Sequence, residues 1–216
     1  MQLVINKEEH YIPNKWSEIS LRKYMQFMST YNSELSEAEQ QLHIIACFTG
    51  VDPQLVEKMP KRIANKASKR IADLMEQKAG EDLILQFTID DIEYGFHPNM
   101  AGLKLKEFVD LDNLLDDNWK NMHKIMSILY RPITKQKKNG KYDIEDYDFV
   151  TAKSRADLFL DNLSIDVVNG AASFFLTIAM DYVRITQAYS NLDRRTRRKR
   201  TKQTKKHLAK LMGGMA

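Results

Sequence analysis

The chain has 216 residues, of which 43% are hydrophobic and 29% charged, a composition typical of a globular protein with one domain or two small ones. No apolar run reaches the roughly 18 residues that a membrane span requires, and the N-terminal segment lacks the basic start and apolar core of a signal peptide. The single cysteine, Cys47, excludes an internal disulfide framework and fits a reducing compartment, so we expect a cytoplasmic location.

Charge is distributed unevenly along the chain. Residues 193–216 carry ten Lys and Arg and one acid, a net charge of +9, whereas the residues before them carry 23 basic and 28 acidic side chains, a net charge of −5. The sequence therefore predicts a mildly acidic body with a strongly basic C-terminal tail, not a uniformly basic protein.

Residues 1–80 predict an N-terminal helical unit preceded by a short hairpin. Alternating apolar and polar residues in "QLVINKEEHYIP" favour the hairpin. The helices that follow have recognisable start signals. These signals are Ser20 as an N-cap, Ser36 with Glu39 as a capping box, and Asp52 before Pro53. A later segment, "PKRIANKASKRIADLMEQ", predicts an amphipathic helix whose Lys and Arg face outward.

Residues 81–192 predict a second unit that combines a hairpin with helices. Residues 83–89 and 92–96 are strand-like runs separated by Asp90-Asp91, the pattern of a two-stranded hairpin. Helical patterns follow in "KLKEFVDLDNLL" and "DDNWKNMHKIMSILYRP", and we expect Pro132 to end the second helix.

The polar segment "ITKQKKNGKYDIEDYD" allows two interpretations. Its central Asn139-Gly140 pair is a strong type I′ turn signal and favours a hairpin. The weak strand character of the flanking residues favours an exposed loop instead.

From Thr151 onward the pattern predicts nearly continuous helix. Apolar residues recur at spacings of three and four over four heptads, which is typical of a helix packed along one face. This seam consists of Val168, Ala171, Phe175, Ile178, Tyr182, Ile185, Tyr189 and Leu192. The predicted fold is therefore mainly α: a multi-helix bundle with one or two small β-hairpins and a long C-terminal helix, followed by the basic tail, residues 193–216.

The basic tail is the strongest candidate binding segment. Its candidate contact residues are Arg194, Arg195, Arg197, Arg198, Lys199, Arg200, Lys202, Lys205 and Lys206. Such a segment would give salt-sensitive, sequence-independent contact with nucleic acid phosphates. The tail contains no aromatic residue to stack bases, and no nucleic-acid recognition motif precedes it. Docking onto an acidic protein surface is an equal alternative, with Leu208, Leu211 and Met212 as an apolar docking hook.

No motif in the sequence predicts catalysis, a metal site or a cofactor. The histidines have no His partner at i+3 or i+4, and the sequence contains no HExxH, CxxC, EF-hand or glycine-rich phosphate loop. Cys47 lies four residues after His43, a spacing that can activate a thiol, but a buried, inert cysteine is the favoured interpretation. We therefore expect a protein that is not an enzyme.

Clustered carboxylates and one motif-like segment are assigned structural roles. The clusters are Asp90-Asp91, Asp110-Asp112, Asp116-Asp117 and Asp143-Glu145-Asp146. We expect each to lie at a turn or a helix start, where Asp caps free N–H groups and interacts favourably with the helix dipole. The segment "YRPIT" is interpreted as a helix terminus.

Two stretches, "IPNKWSEISLRKYMQFM" and "QLHIIACFTGVDPQLVEKMP", contain a proline–tryptophan entry with Glu-Ile-Ser-Leu, then an apolar helix and a Gly-x-Asp turn. The residues that carry this pattern are Pro13, Trp16, Glu18, Ile19, Ser20, Leu21, Gly50, Val51, Asp52 and Val56. In these residues the chain resembles small helical proteins of tailed bacteriophages, in particular tail assembly chaperones. The segments "FTIDDIEYGFHPN", "LKEFVDL" and "KIMSILYRPI" are similar to proteins encoded among virion-assembly genes, so the resemblance covers about residues 11–135.

The resemblance implies a non-enzymatic morphogenesis protein that binds a tape-measure protein or another virion component through helical surfaces. Such a protein acts in the cytoplasm of the infected host, and a minor virion component also enters the virion. The alternative hypothesis is nonspecific binding of DNA or RNA through the basic tail, in or near the capsid. Neither hypothesis involves a membrane, and the seam allows packing within one chain or between subunits of an oligomer.

Overall fold

The computed structural model is mainly α-helical in the part of the chain that it describes, as predicted, and contains two antiparallel β-sheets. It describes residues 2–5, 8–31, 34–77, 80, 82–115, 118–175 and 177. The basic tail, its docking hook and the seam residues from Ile178 to Leu192 lie outside the described residues.

The chain divides into two compact units. The first comprises Met1–Gly80 and Asp157–Asn169, and the second comprises Glu81–Ala156 and the described residues from Gly170 onward. The predicted division assigned 157–169 to the second unit, whereas these residues return to the first.

The first unit begins with the predicted hairpin and continues into helices. Strand β1 (Gln2–Ile5) pairs antiparallel with β2 (Glu8–Tyr11), and a 3₁₀ turn at Trp16–Glu18 follows. The helices are α1 (Leu21–Thr30), α2 (Glu37–Thr49), α3 (Pro53–Glu57) and α4 (Lys61–Glu76). Its core is apolar and includes the fully buried Ile12, Ile19, Leu21, Ile45, Phe48, Ile71 and Leu74.

The predicted helix caps are confirmed. The Ser20 hydroxyl accepts from the Lys23 N–H, and the Asp52 carboxylate accepts from the Gln54 N–H. Ser36 and Glu39 form a complete capping box. Each cap bonds an N–H group that the helix itself leaves unpaired, a contribution of about 1 kcal/mol.

The predicted continuous helix from Thr151 is wrong. Helix α7 (Phe149–Asn162) ends before Leu163, and a second helix, α8, begins at residue 165 and is described through residue 175. Between them the Leu163 carbonyl accepts from the Leu21 N–H at 2.8 Å, and the Ile165 N–H donates to the Ile19 carbonyl at 2.9 Å. These backbone hydrogen bonds to a distant segment take the place of bonds within a helix. The apolar periodicity of a helix carries no information about such distant partners, so the sequence pattern could not predict the break.

The second unit contains a four-stranded antiparallel sheet in the order β3-β4-β5-β6. The strands are β3 (Gln86–Ile89), β4 (Ile92–Phe96), β5 (Tyr130–Gln136) and β6 (Tyr142–Ile144). The prediction of separate small hairpins is therefore incomplete, because β4 pairs with β5 and joins two hairpins into one sheet. Asp90 and Asp91 form the β3–β4 turn with positive φ, as the hairpin prediction requires.

Strand β5 corrects the interpretation of "YRPIT" as a helix terminus. Helix α6 (Asn118–Leu129) ends before Tyr130, and Pro132 lies inside β5 opposite Tyr94 instead of ending a helix. The Pro132 carbonyl accepts from the Glu145 N–H at 2.8 Å, so this proline still contributes a strand-to-strand bond. Of the two interpretations of the following segment the hairpin is correct, because Asn139 (φ 66°) and Gly140 (φ 73°) make the turn between β5 and β6.

Helices and aromatic rings cover the sheet of the second unit. Helix α5 (Leu105–Leu115) and α6 follow β4, and the rings of Phe96 and Tyr130 lie 5.1 Å apart between their centroids. Phe96 also meets Phe174 of α8 at 5.6 Å. Of the predicted seam, Val168 and Ala171 are buried and Phe175 is half-buried. A Cβ atom at Gly170 would overlap the Asp82 carbonyl oxygen, so α8 requires glycine there.

Candidate functional site

The most distinctive surface of the second unit is an apolar stripe on α5. Leu105 is 79% exposed, Phe108 56% and Leu115 55%, and their spacing of three and seven residues places them on one side of the helix. Leu111, one turn from both Phe108 and Leu115, is buried beside the stripe, and Glu107 is buried as well. Helix α5 is therefore apolar on an outward face as well as on its core face, unlike an ordinary surface helix.

An open groove of about 590 Å³ lies along this stripe. We call it the α5 groove; it is lined by Met100, Leu103, Leu105, Phe108, Leu111, Asp112, Leu115, Ile125 and Phe175. Asp112 is the charged member of this set and the others are apolar. The size is in the range of natural ligand and peptide sites, and the lining suits an apolar partner.

A buried ion pair fixes the N-terminal end of α5 to the sheet. Glu107 is 2% exposed and Arg131 on β5 is 3% exposed at the side chain. The Arg131 Nη1 donates to Glu107 Oε1 at 2.9 Å, while the Lys104 backbone N–H donates to Oε2 at 2.7 Å. Because a buried charge without its partner is strongly destabilising, this pair holds α5 in register with β5.

His97 completes this cluster as a neutral ring. The Asn99 N–H donates to His97 Nδ1 at 3.2 Å, so the ring proton lies on Nε2, 3.8 Å from Glu107 Oε2. Burial lowers the pKa of His97, the nearby Arg131 charge lowers it further, and Glu107 partly opposes both. The cluster does not line the α5 groove, and its contacts join the start of α5 to β5.

A second concavity lies on another side of α5. We call it the side groove; its volume is about 370 Å³ and it is lined by Asp110, Asn113, Leu114, Lys124, Ser127, Ile128, Tyr147, Phe149, Ala152 and Lys153. It shares no lining residue with the α5 groove. The Tyr147 hydroxyl donates to Asp110 at 2.6 Å, which ties the segment before α7 to α5.

The Cys47–His43 pair has the geometry of a structural contact. The Cys47 Sγ lies 3.5 Å from His43 Nδ1, and His43 Nε2 lies 2.5 Å from the Thr30 hydroxyl. Cys47 is buried, and burial raises the pKa of its thiol, which therefore stays protonated and weakly nucleophilic at neutral pH. These contacts support the interpretation of Cys47 as an inert core residue.

The predicted capping roles of the carboxylate clusters are wrong for several residues. Asp110 and Asp112 lie inside α5 and do not cap its start. Asp146 pairs with Lys104 at 2.7 Å, and Glu145 pairs with Arg155. The pairs of Asp146 and Glu145 each join two different segments of the chain, which the spacing of the carboxylates cannot reveal. Asp116-Asp117 lies outside the described residues.

Among the described residues, no group of three or more His, Cys, Asp or Glu side chains is arranged to hold a metal ion. None of the helices in this part of the chain has the length and apolar character that crossing a membrane requires.

Sequence reasoning located α5 but missed its exposed stripe and both grooves. The composition of "LKEFVDLDNLL" could have indicated the stripe, because this helix has more apolar residues than a single buried face can accommodate. The Glu107–Arg131 pair was missed because its members are separated by 24 residues and meet only after β5 joins β4.

Comparison of the chain with protein-family models, with curated proteins and with solved structures gives no match.

Proposed function

We propose that this protein is a non-enzymatic bacteriophage morphogenesis protein, a tail assembly chaperone or minor virion component, that binds another virion protein through the α5 groove. The observation that carries the proposal is the exposed stripe of Leu105, Phe108 and Leu115 beside a groove with an almost entirely apolar lining. Contiguous exposed apolar surface on a folded protein marks an interaction site.

The length of α5 beside the groove favours a helical partner segment. Helix α5 has 11 residues and is about 16 Å long, enough for three turns of a docked amphipathic helix. Burying each exposed Leu or Phe side chain would contribute about 1.5–3 kcal/mol, from which the loss of motional freedom on binding must be subtracted. Asp112 at the groove favours a basic or hydrogen-bonding residue at the edge of the apolar face of the partner.

The position of the groove in the sequence also supports a phage assembly role. Part of α5 comes from "LKEFVDL", one of the segments that resembles proteins encoded among virion-assembly genes. In this role the protein would act in the cytoplasm of the infected host, and a minor virion component would also be present in the particle.

The test is coexpression of the full chain with the tape-measure protein of the phage that encodes it. We expect the wild type to co-purify with the tape-measure protein or keep it soluble, and Leu105→Ser with Phe108→Ser to abolish this because the groove loses its apolar wall. The matched control is Met28→Ser with Ile63→Ser, which removes two exposed apolar side chains from the first unit. Equal binding by both double variants would overturn the role of the α5 groove.

Nonspecific nucleic acid binding remains the second hypothesis, and the observation that favours it is the +9 charge of residues 193–216. This hypothesis places binding in the tail, so it makes no demand on the α5 groove.

A further inference from the structure

We propose that the side groove is a second, separate docking site that binds an acidic peptide segment of a partner protein. In this complex an apolar side chain of the peptide occupies the groove, and flanking Asp or Glu carboxylates pair with Lys124 and Lys153. The site does not depend on the α5 groove, because the two grooves have different linings.

The floor of the side groove is apolar. Leu114, Ile128 and Ala152 come from α5, α6 and α7, and Phe149 adds a ring that is 53% exposed. A concavity of about 370 Å³ accommodates one large side chain of a peptide with part of its backbone. An aliphatic or aromatic side chain would remove both its own surface and that of Phe149 from water.

The charges around the groove are not balanced. Lys124 and Lys153 are exposed and form no ion pair within the part of the chain that the structure describes. Lys124 Nζ donates to the Asn121 side-chain oxygen at 3.2 Å, which leaves its charge uncompensated. The lining thus presents two positive charges next to apolar surface.

The acid in the lining does not neutralise these lysines. Asp110 accepts from the Tyr147 hydroxyl at 2.6 Å and from Lys106 Nζ at 2.9 Å. Burial alone would raise the pKa of Asp110, but the hydrogen bonds from Tyr147 and Lys106 outweigh it, and the pKa lies below its ordinary value. Asp110 is therefore an ionised carboxylate already engaged by two donors.

This combination favours an acidic peptide over a nucleic acid. Exposed ion pairs with lysine contribute little individually, so binding requires the apolar side chain as well as the carboxylates. A nucleic acid backbone would bring phosphates for the two lysines but no aliphatic group for the apolar floor of the groove.

The experiment uses the full chain and three acetylated, amidated peptides observed by methyl NMR. The acidic probe is Glu-Asp-Phe-Leu-Glu-Asp, the neutral probe is Gln-Asn-Phe-Leu-Gln-Asn, and the apolar-free probe is Glu-Asp-Ser-Ser-Glu-Asp. We expect the acidic probe to shift the methyl signals of Leu114, Ile128 and Ala152. The other two probes should bind there about tenfold more weakly, the combined effect expected of two partly exposed ion pairs or one buried side chain. The methyl signals report the site directly and exclude a contribution from acidic peptide bound to the basic tail.

The deciding variant is Lys124→Gln with Lys153→Gln, whose two lysines are exposed and whose fold we expect to be intact. It should lower affinity for the acidic probe to that for the neutral probe. The control Lys135→Gln with Lys138→Gln removes two exposed lysines from the β5–β6 hairpin and should change nothing. Unchanged binding by the Lys124/Lys153 variant would overturn the proposal. So would equal shifts with a ten-nucleotide oligothymidine, or shifts that follow protein concentration without peptide, since these would identify a nucleic acid or a second copy as the occupant.

Discussion

Arg131 is a cation with 3% side-chain exposure, and its position decides how α5 is held. Its guanidinium bonds to Glu107 at 2.9 Å, and Glu107 also accepts from the Lys104 N–H at the start of the same helix. One carboxylate thus joins β5 to the first turn of α5. The Glu107–Arg131 pair therefore explains how α5 stays fixed to β5 while its apolar face is exposed.

We expect Glu107→Gln to lower the free energy of unfolding by about 3–5 kcal/mol, because it leaves the Arg131 charge buried without its counter-charge. The measurement is urea denaturation of the full chain. A double variant, Glu107→Gln with Arg131→Met, should be less destabilised than the single one, since it also removes the stranded charge. The matched control is Lys104→Ala, which breaks the exposed pair with Asp146 and should have little effect. A Glu107→Gln variant as stable as the Lys104→Ala variant would contradict this account.

His97 makes the stability of the second unit dependent on pH. Burial, followed by the charge of Arg131, holds the pKa of His97 below its ordinary value of 6.5. The unfolded chain binds a proton to this residue below about pH 6.5 while the folded chain does not, so stability rises with pH in this range. The stability that depends on a neutral His97 is fully present above pH 6.5. As the pH falls from there toward the pKa of His97 in the folded protein, the free energy of unfolding decreases by up to about 1.4 kcal/mol per pH unit.

The check is urea denaturation at pH 7.5 and pH 5.5 for the wild type and His97→Gln. We expect the wild type to lose more stability on acidification than the variant, because the variant has no group to protonate at this position. Contributions from the other histidines are common to both proteins and cancel in the comparison. Identical losses would show that His97 does not carry the pH dependence.

At the scale of elements, the features predicted from the sequence are those determined within a few residues. The Ser36/Glu39 capping box, the Asp90-Asp91 turn and the Asn139-Gly140 turn each involve local bonds, and each is present in the structure. Side chains and φ angles at these positions depend on neighbours one to four residues away. Local pattern was therefore sufficient to place these caps and hairpin turns.

The features missed are those created by contacts between segments far apart in sequence. The break at Leu163 arises because its carbonyl bonds to Leu21, and the strand at Tyr130 arises because it pairs with Phe96. Likewise, the exposed face of α5 depends on which side of the helix packs against α6. The sequence pattern of α5 contains apolar residues on both sides, and tertiary packing alone decides that Leu111 is buried and Leu105 is not.

The body of the chain has a net charge of −5 and the tail a net charge of +9, so the two parts are suited to different binding partners. The two hypotheses assign binding to different parts: protein partners to the grooves of the second unit, and nucleic acid phosphates to residues 193–216. Phosphate contact is electrostatic and releases counterions, so it depends steeply on salt. Apolar docking in a groove depends on salt weakly. Salt dependence therefore separates the two kinds of binding in one protein.

We expect the full chain to bind two duplex DNAs of unrelated sequence with equal affinity and to lose about a thousandfold or more between 50 and 200 mM salt if six or more tail cations contact phosphates. A chain ending at residue 192 keeps every described residue and should lose this binding while retaining co-purification with a protein partner.

Replacing the five tail arginines, Arg194, Arg195, Arg197, Arg198 and Arg200, with lysine preserves the charge and should preserve DNA affinity, because nonspecific phosphate contact requires charge and not a particular side-chain geometry. If the chain ending at residue 192 binds DNA as tightly as the full chain, the tail is not the DNA-binding segment, and the lysines of the body become the candidates.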